Sequence, residues 1–224
     1  MMTQDLPKSR KRKLLVVDDH ELMLGGIIDT LRRKYPEAEI LTAQTFQSAL
    51  EQLERFQLDL VIVDLSIPED SENTAKIETG IKLLQIVMKQ YPNLNLVVLS
   101  TYLKALVRIK DEIDEHNGGF TLVDKGFSGQ VMLTRVEWAL QGLTHTKDLK
   151  MLKGEVKPEW LELLTLAFHE ELQDKAIAGR MHKSERTVVH YWTKIRDVLG
   201  VYPEGGKNLR IQTEMRAREE GFID

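Results

Sequence analysis

The sequence predicts a two-part protein, a doubly wound α/β domain on a five-stranded parallel sheet followed by an all-α domain. Between Leu14 and about Gln141, short apolar runs alternate five times with amphipathic stretches. Such regular β-α alternation with short loops implies right-handed crossovers and a sheet covered on both sides. Two of the runs, Leu14–Val17 and Leu60–Val63, are continuously apolar, as in strands buried on both faces. After Pro158 the pattern becomes purely helical.

Taken in order, the strands are expected at Leu14–Val17, Glu39–Ala43, Leu60–Val63, Leu94–Leu99 and Phe120–Val123. Helices are expected near Glu21–Lys34, Phe46–Phe56, Gly80–Tyr91, Leu103–His116 and Gln130–Leu140. Residues 142–154, which include Thr144-His145-Thr146-Lys147-Asp148, lose the apolar pattern and read as a linker. This divides the chain into 10–141, the linker 142–154, and 155–224. In the last part, helices are expected at Glu159–Phe168, Asp174–Met181, Ser184–Leu199 and Gln212–Glu220. Ser184 is a good N-cap, and Gly200 is placed to end its helix in a left-handed turn. Val188, Trp192, Ile195 and Leu199 recur at steps of three and four and predict a buried face. A helix ending at Met181, a short turn through His182-Lys183 and a second helix with a polar, basic face make a helix-turn-helix.

Composition bounds the rest. The 224 residues are 42% hydrophobic and 29% charged, an ordinary globular balance. The absence of cysteine excludes disulfides, thiolate metal sites and thiol nucleophiles and fits a reducing cytoplasm. No apolar run approaches the ~20 residues of a membrane span, and the polar start does not resemble a signal peptide, so a cytoplasmic protein with no membrane partner is expected. The net charge of −4 is unevenly spread. Residues 1–143 carry 17 basic and 21 acidic side chains, whereas 172–218 carry 10 basic and 5 acidic. The locally basic segment is a candidate for phosphate backbones.

The run Leu60-Val61-Ile62-Val63 delivers Asp64 at a strand's carboxyl end, where open α/β sheets bind ligands. Leu14-Leu15-Val16-Val17 likewise ends in Asp18-Asp19. If the two strands are parallel neighbours, three carboxylates converge, and their repulsion is costly unless a cation sits among them. Hard oxygen ligands in a shallow acidic cluster suit Mg²⁺, and Asp64 could then accept phosphate as an aspartyl-phosphate. Taken singly, Asp19 reads first as a helix cap and Asp64 as a loop cap. The six histidines show no metal-ligand spacing and read as surface or packing residues. Trp138, Trp160 and Trp192 read as packing.

With these residues on the page, 10–141 resembles the receiver domain of bacterial response regulators, a flavodoxin-like fold. Residues 158–222 resemble the LuxR-type DNA-binding domain, through Lys175-Ala176-Ile177-Ala178, Ser184-Glu185-Arg186-Thr187-Val188 and the closing Leu199-Gly200-Val201. The whole looks like a response regulator of the NarL/FixJ class. The resemblance implies Asp64 as phospho-acceptor, with Ser100 ending strand four and Lys125 following strand five as its partners. It implies Mg²⁺ held by Asp18, Asp19, Asp64 and the main-chain carbonyl of Ser66. Ser100 can hydrogen-bond a phosphoryl oxygen, and Lys125 can neutralise it as a point charge. On the DNA side the expected contacts are Lys183, Arg186, Val189, His190, Thr193 and Lys194. The implied partners are a sensor histidine kinase, double-stranded DNA and a second copy in a phosphorylation-dependent homodimer.

Several positions depart from the family's pattern. The glycine that usually opens the third helix appears as Gly80, unusually far from Asp64, so Glu69–Glu78 reads as a long loop beside the acid pocket. Gly126 follows Lys125 where proline is common. Leu122 occupies the position of the family's switch aromatic, with Phe120 two residues earlier. Val189 and Tyr191 replace the usual lysine and histidine of the recognition helix. Two rival functions stay open. One is a signalling adaptor whose helical domain docks protein. The other is an Mg²⁺-dependent phosphohydrolase using Asp64 as nucleophile, which would need a separate acid or base for turnover.

Overall fold

The computed structural model describes residues 10–146 and 156–223. Five parallel strands, β1 (Lys13–Val17), β2 (Glu39–Ala43), β3 (Leu60–Val63), β4 (Asn95–Leu99) and β5 (Phe120–Val123), form one sheet in the order β2-β1-β3-β4-β5. Side chains alternate across it. Leu15, Val17, Val61 and Val63 enter one core, and Leu14, Val16, Leu60 and Ile62 enter the core on the opposite face. Both sets are buried, which is why the strands read as unbroken apolar runs.

Helices α1 (Glu21–Lys34), α2 (Phe46–Arg55), α3 (Ile77–Gln90), α4 (Lys110–Glu115) and α5 (Gly129–Leu140) cover the sheet. Two of them differ from expectation. α3 starts at Ile77, three residues before Gly80, so Gly80 is an interior residue. A Cβ at Gly80 would lie 2.1 Å from the Leu65 carbonyl oxygen, so glycine is needed there for the helix to approach the chain leaving β3. The helix expected over Leu103–His116 is instead a 3₁₀ helix, Leu103–Ile109, followed by the short α4. Periodicity alone does not separate these two helix types.

The long loop is folded. An antiparallel bridge between Ile67 and Lys76 closes its base. Its first carbonyls, on Pro68 and Glu69, accept the N–H groups of Phe46 and Gln47 at the start of α2. Asp70 Oδ1 accepts hydrogen bonds from the Glu72 and Asn73 main chain and the Asn73 amide, and Lys82 pairs with Glu69 at 3.1 Å.

At the other end of the sheet, Phe120 N–H donates to Leu143 O and His145 N–H donates to Phe120 O, so residues 143–145 run along the exposed edge of β5. Trp138 is only partly buried and packs against His145, ring centroids 5.0 Å apart, with Arg135 over its face. The remainder of the expected linker, from Lys147 to Gly154, lies outside the described residues.

The second part has α6 (Pro158–Phe168), α7 (Asp174–Arg180), α8 (Glu185–Leu199) and α9 (Leu209–Glu219) around a separate core. Ser184 caps α8 by accepting the Thr187 N–H, and Gly200 ends it at φ 65°. Val188, Trp192, Ile195 and Leu199 are buried, as their spacing predicts. Asp174 ties three helices together, since its Oδ1 accepts Trp192 Nε1–H at 3.0 Å and Arg210 Nη1–H at 2.7 Å. α9 begins earlier than its pattern suggests because Asn208 accepts the N–H groups of Arg210 and Ile211. No helix among the described residues is long and apolar enough to cross a membrane.

Candidate functional site

The strand order reverses between β1 and β3, and the loops leaving those two strands diverge there, opening a crevice at the carboxyl edge. Asp18 and Asp64 leave the two strands side by side. The ladder continues one residue past each strand, with Asp64 N–H donating to Val17 O and Asp18 N–H donating to Ala43 O. Ser100 N–H donates to Val123 O in the same layer. Four strands therefore deliver Asp18, Asp64, Ser100 and Lys125 to one pocket.

Lys125 joins the acids. Its Nζ lies 2.6 Å from Asp64 Oδ2 and 2.7 Å from Asp18 Oδ2. The other oxygen of each carboxylate faces a main-chain donor two residues on, Ser66 N–H for Asp64 at 3.3 Å and His20 N–H for Asp18 at 3.0 Å. Asp18 and Asp64 are almost fully buried, and Ser100 completely so. Burial pushes the Asp64 carboxyl above the usual range, Lys125 and Ser100 pull it back, and the neighbouring Asp18 charge adds to the rise. Burial also disfavours the Lys125 ammonium, but Asp18 and Asp64 outweigh it and hold its pKa above the ordinary lysine value. The pocket thus relies on an internal cation to keep its carboxylates together.

Asp18, Asp19, His20 and Asp64 offer ligand atoms within 4.8 Å of one another. Asp19 Oδ1 is shut off from solvent without an aligned hydrogen-bond donor among the described residues, although His20 Nδ1 lies 2.7 Å away. An under-satisfied buried oxygen within a set of hard donors fits a small divalent cation. His20 was not expected in this cluster. Its only sequence signal was adjacency to Asp18-Asp19, which ligand-spacing rules do not weigh. Ser66 is held to Asp64 through its N–H.

The second candidate site is the outer face of α8. Lys183, Arg186, Val189, His190, Thr193 and Lys194 are all exposed on one side of the helix-turn-helix. Val189 is 56% exposed and so open to an apolar contact. Thr193 Oγ1 donates to Val189 O, which commits its hydroxyl proton and leaves the oxygen as an acceptor. Lys194 lies 3.7 Å from Asp197, a loose surface pair.

The family model described as response regulator receiver domain matches residues 14–137, more than half of the chain. The transcriptional regulatory protein LnrK of Bacillus subtilis (strain 168) is 25% identical over 211 residues, covering 84% of this chain and 91% of the relative. The DNA-binding transcriptional activator DevR/DosR of Mycobacterium tuberculosis (strain ATCC 25618 / H37Rv) is 25% identical over 210 residues, covering 84% and 88%. In fold the chain is similar to RcsB from Salmonella enterica serovar Typhimurium bound to promoter rprA in the presence of the phosphomimetic BeF3-. The TM-score is 0.62 at 21% identity, over 92% of this chain and 98% of that one. A structure of the RcsB–DNA complex aligns with a TM-score of 0.61 at 20% identity. The chain belongs to the response regulator receiver domain family.

Proposed function

We propose that this protein is a phosphorylation-controlled, DNA-binding transcriptional regulator whose phospho-acceptor is Asp64. The observation that carries the reading is the placement of Lys125 between Asp64 and Asp18, with Ser100 buried against them, at the switch point of the sheet. The domain reading follows, with a receiver over 10–141, a linker over 142–154 and a DNA-binding domain over 155–224.

A histidine kinase supplies the phosphoryl group. An Asp64 carboxylate oxygen forms the new P–O bond as the P–N bond of the phosphohistidine breaks, and the imidazole leaves with the electron pair. Bound Mg²⁺, held by Asp18, Asp19, Asp64 and the Ser66 carbonyl, would neutralise charge on the transferred group. Lys125 can follow the added charge by moving its point charge from the carboxylates to a phosphoryl oxygen. Ser100 Oγ, which now accepts the Tyr102 N–H at 3.2 Å, has its own proton to donate to the phosphoryl group. Asp64 is in this reading a stoichiometric acceptor, which sets the protein apart from a turnover enzyme.

The relatives named as transcriptional regulators, and the DNA complexes of RcsB, support DNA as the partner of the α8 face. The protein then acts in the cytoplasm, as a phosphorylation-dependent homodimer on two half-sites. The test is acetyl phosphate with Mg²⁺ followed by intact-mass analysis and a mobility shift on promoter fragments. One phosphoryl group, absent in Asp64→Ala, and tighter promoter binding after phosphorylation are expected. Undiminished labelling of Asp64→Ala would overturn the acceptor assignment, and no binding to any promoter fragment would favour the protein-docking adaptor.

A further inference from the structure

His20, the N-cap of α1, stands at the mouth of the acid pocket. Its main chain is fixed from both sides, since its N–H donates to Asp18 Oδ1 at 3.0 Å and its carbonyl accepts the Leu24 N–H. Polar side chains at an N-cap usually turn back onto their own helix. Thr45, Ser184 and Asn208, the N-caps of α2, α8 and α9, all accept main-chain N–H groups in that way. The His20 side chain makes no such bond, and its ring faces the acids instead. Nδ1 lies 2.7 Å from Asp19 Oδ1 and 3.4 Å from Asp18 Oδ1.

Asp18 divides its neighbours between its two oxygens. Lys125 holds Oδ2, as it also holds Asp64 Oδ2, while Asp18 Oδ1 faces His20. The internal cation therefore serves one side of the cluster and leaves the other to the imidazole. Neighbouring ligands of a six-coordinate ion, each about 2.1 Å from the metal, stand about 3 Å apart. The two His20 distances bracket that spacing. Asp19 Oδ1, in contact with Nδ1, has no aligned hydrogen-bond donor among the described residues. Two such atoms, close together without a hydrogen bond between them, are placed as ligands of one ion would be. Asp18, Asp19, His20 and Asp64 all offer ligand atoms within 4.8 Å of one another.

An imidazole changes what such a site selects. Carboxylate and carbonyl oxygens suit Mg²⁺, Ca²⁺ and Mn²⁺, whereas imidazole favours first-row transition ions. Mg²⁺ dehydrates reluctantly and takes oxygen ligands, so a nitrogen donor adds little to its binding. Mn²⁺ belongs to both groups and gains from both kinds of donor. The His20 side chain is 64% exposed, so its ring can close on an ion without disturbing the packed sheet.

We propose that His20 Nδ1 is an additional metal ligand of the receiver pocket and biases it toward Mn²⁺ over Mg²⁺. Asp18, Asp19 and Asp64 supply the charge that draws a divalent ion, and His20 sets which ion is held longer. The proposal rests on those three acids forming the cation site of the receiver chemistry proposed above.

Titration of the full chain with MnCl₂ and with MgCl₂ gives the two affinities, and electron spin echo spectra of the Mn²⁺ complex report nitrogen bound to the metal. The unmodified chain should show imidazole-nitrogen modulation. His20→Ala should abolish it, weaken Mn²⁺ binding about tenfold and leave Mg²⁺ binding within about twofold. His20→Asn keeps a good N-cap and should lose the modulation as well, which separates ligand loss from damage to the start of α1. Asp19→Ala and Asp64→Ala should weaken both ions. Modulation that is absent from the unmodified chain or persists in His20→Ala overturns the His20 assignment alone, as does an equal effect of His20→Ala on the two ions. No Mn²⁺ binding, or binding untouched by Asp19→Ala and Asp64→Ala, defeats the cation site and the His20 ligand with it. Phosphoryl uptake from acetyl phosphate is read by intact mass with each ion. The expected metal behaviour without uptake at Asp64 defeats the acceptor assignment and leaves His20 a ligand.

Discussion

The two candidate sites of this protein are built on opposite principles. The receiver pocket gathers buried groups of unlike charge, in which Lys125 contacts Asp18 and Asp64 together and each member depends on the others. The α8 face displays exposed side chains in which the nearest ion pair, Lys194 with Asp197, is loose and wet. A buried ion cluster couples its members because removing one leaves an uncompensated charge in low dielectric. An exposed face lets water take over from any side chain that is removed. The receiver pocket should therefore respond as a unit, and the helix residue by residue.

The largest expected effect is loss of all phosphoryl uptake in Asp64→Ala, read by intact mass, with the fold retained by circular dichroism. Next comes Lys125→Ala, which strands two buried carboxylates and should destabilise the receiver by about 3 kcal/mol in urea unfolding. The sharper form of this test is a double-mutant cycle. Lys125→Ala with Asp18→Ala should show a coupling of about 0.5–3 kcal/mol, whereas Arg186→Ala with Lys194→Ala, eight residues apart on an exposed face, should add within about 0.5 kcal/mol in DNA binding. Equal coupling in both cycles would break the contrast.

On DNA, His190→Ala should cost roughly 1–3 kcal/mol on the preferred site and much less on unrelated duplex. Lys194→Ala should weaken both alike and reduce the salt slope by about one. Titrations at several salt concentrations on specific and scrambled duplexes separate the two outcomes. Equal losses for His190→Ala on both duplexes would mean that this helix does not read bases there.

The pH dependence of stability follows from the same burial. Asp64 has a folded pKa above its unfolded value, so its ionised form costs stability at neutral pH, and that cost is relieved as pH falls through the folded pKa. Asp64→Asn should accordingly raise the thermal midpoint by a few degrees at neutral pH, with the advantage shrinking in acid. Lys125 works in the opposite range, where its contribution is complete below the unfolded lysine pKa and is lost as pH rises through its raised folded value. A midpoint difference for Asp64→Asn that grew in acid would contradict the assignment. The smallest effect belongs to the long loop. Of its acids Glu72 and Glu78 are exposed and Glu69 and Asp70 half-buried, and Asp70 is held below the usual carboxyl range chiefly by Asn73. Shortening the loop between Pro68 and Ile77 should change the dephosphorylation rate a few-fold and leave Mg²⁺ affinity within a few-fold. A collapse of Mg²⁺ binding would make the loop a source of ligands.

Much of this was legible in the residues alone. Strands β3 and β5 fall where their apolar runs lie, because strands buried on both faces are built almost wholly of apolar residues. Both ends of α8 follow from Ser184 and Gly200, because capping is local chemistry between residues a turn apart. Asp18 and Asp64 were identifiable as strand-end acids for the same local reason. Tertiary structure decided what depends on distant chain segments. The strand order puts Lys125 between two carboxylates, His20 beside them, and Gly80 against Leu65. The 3₁₀ form of Leu103–Ile109 and the seating of Gly221 on Ala105 and Ile77 are likewise set by packing between segments far apart in the chain. Periodicity and capping report only near neighbours, whereas these features depend on which surfaces meet after the sheet has closed and the second core has formed.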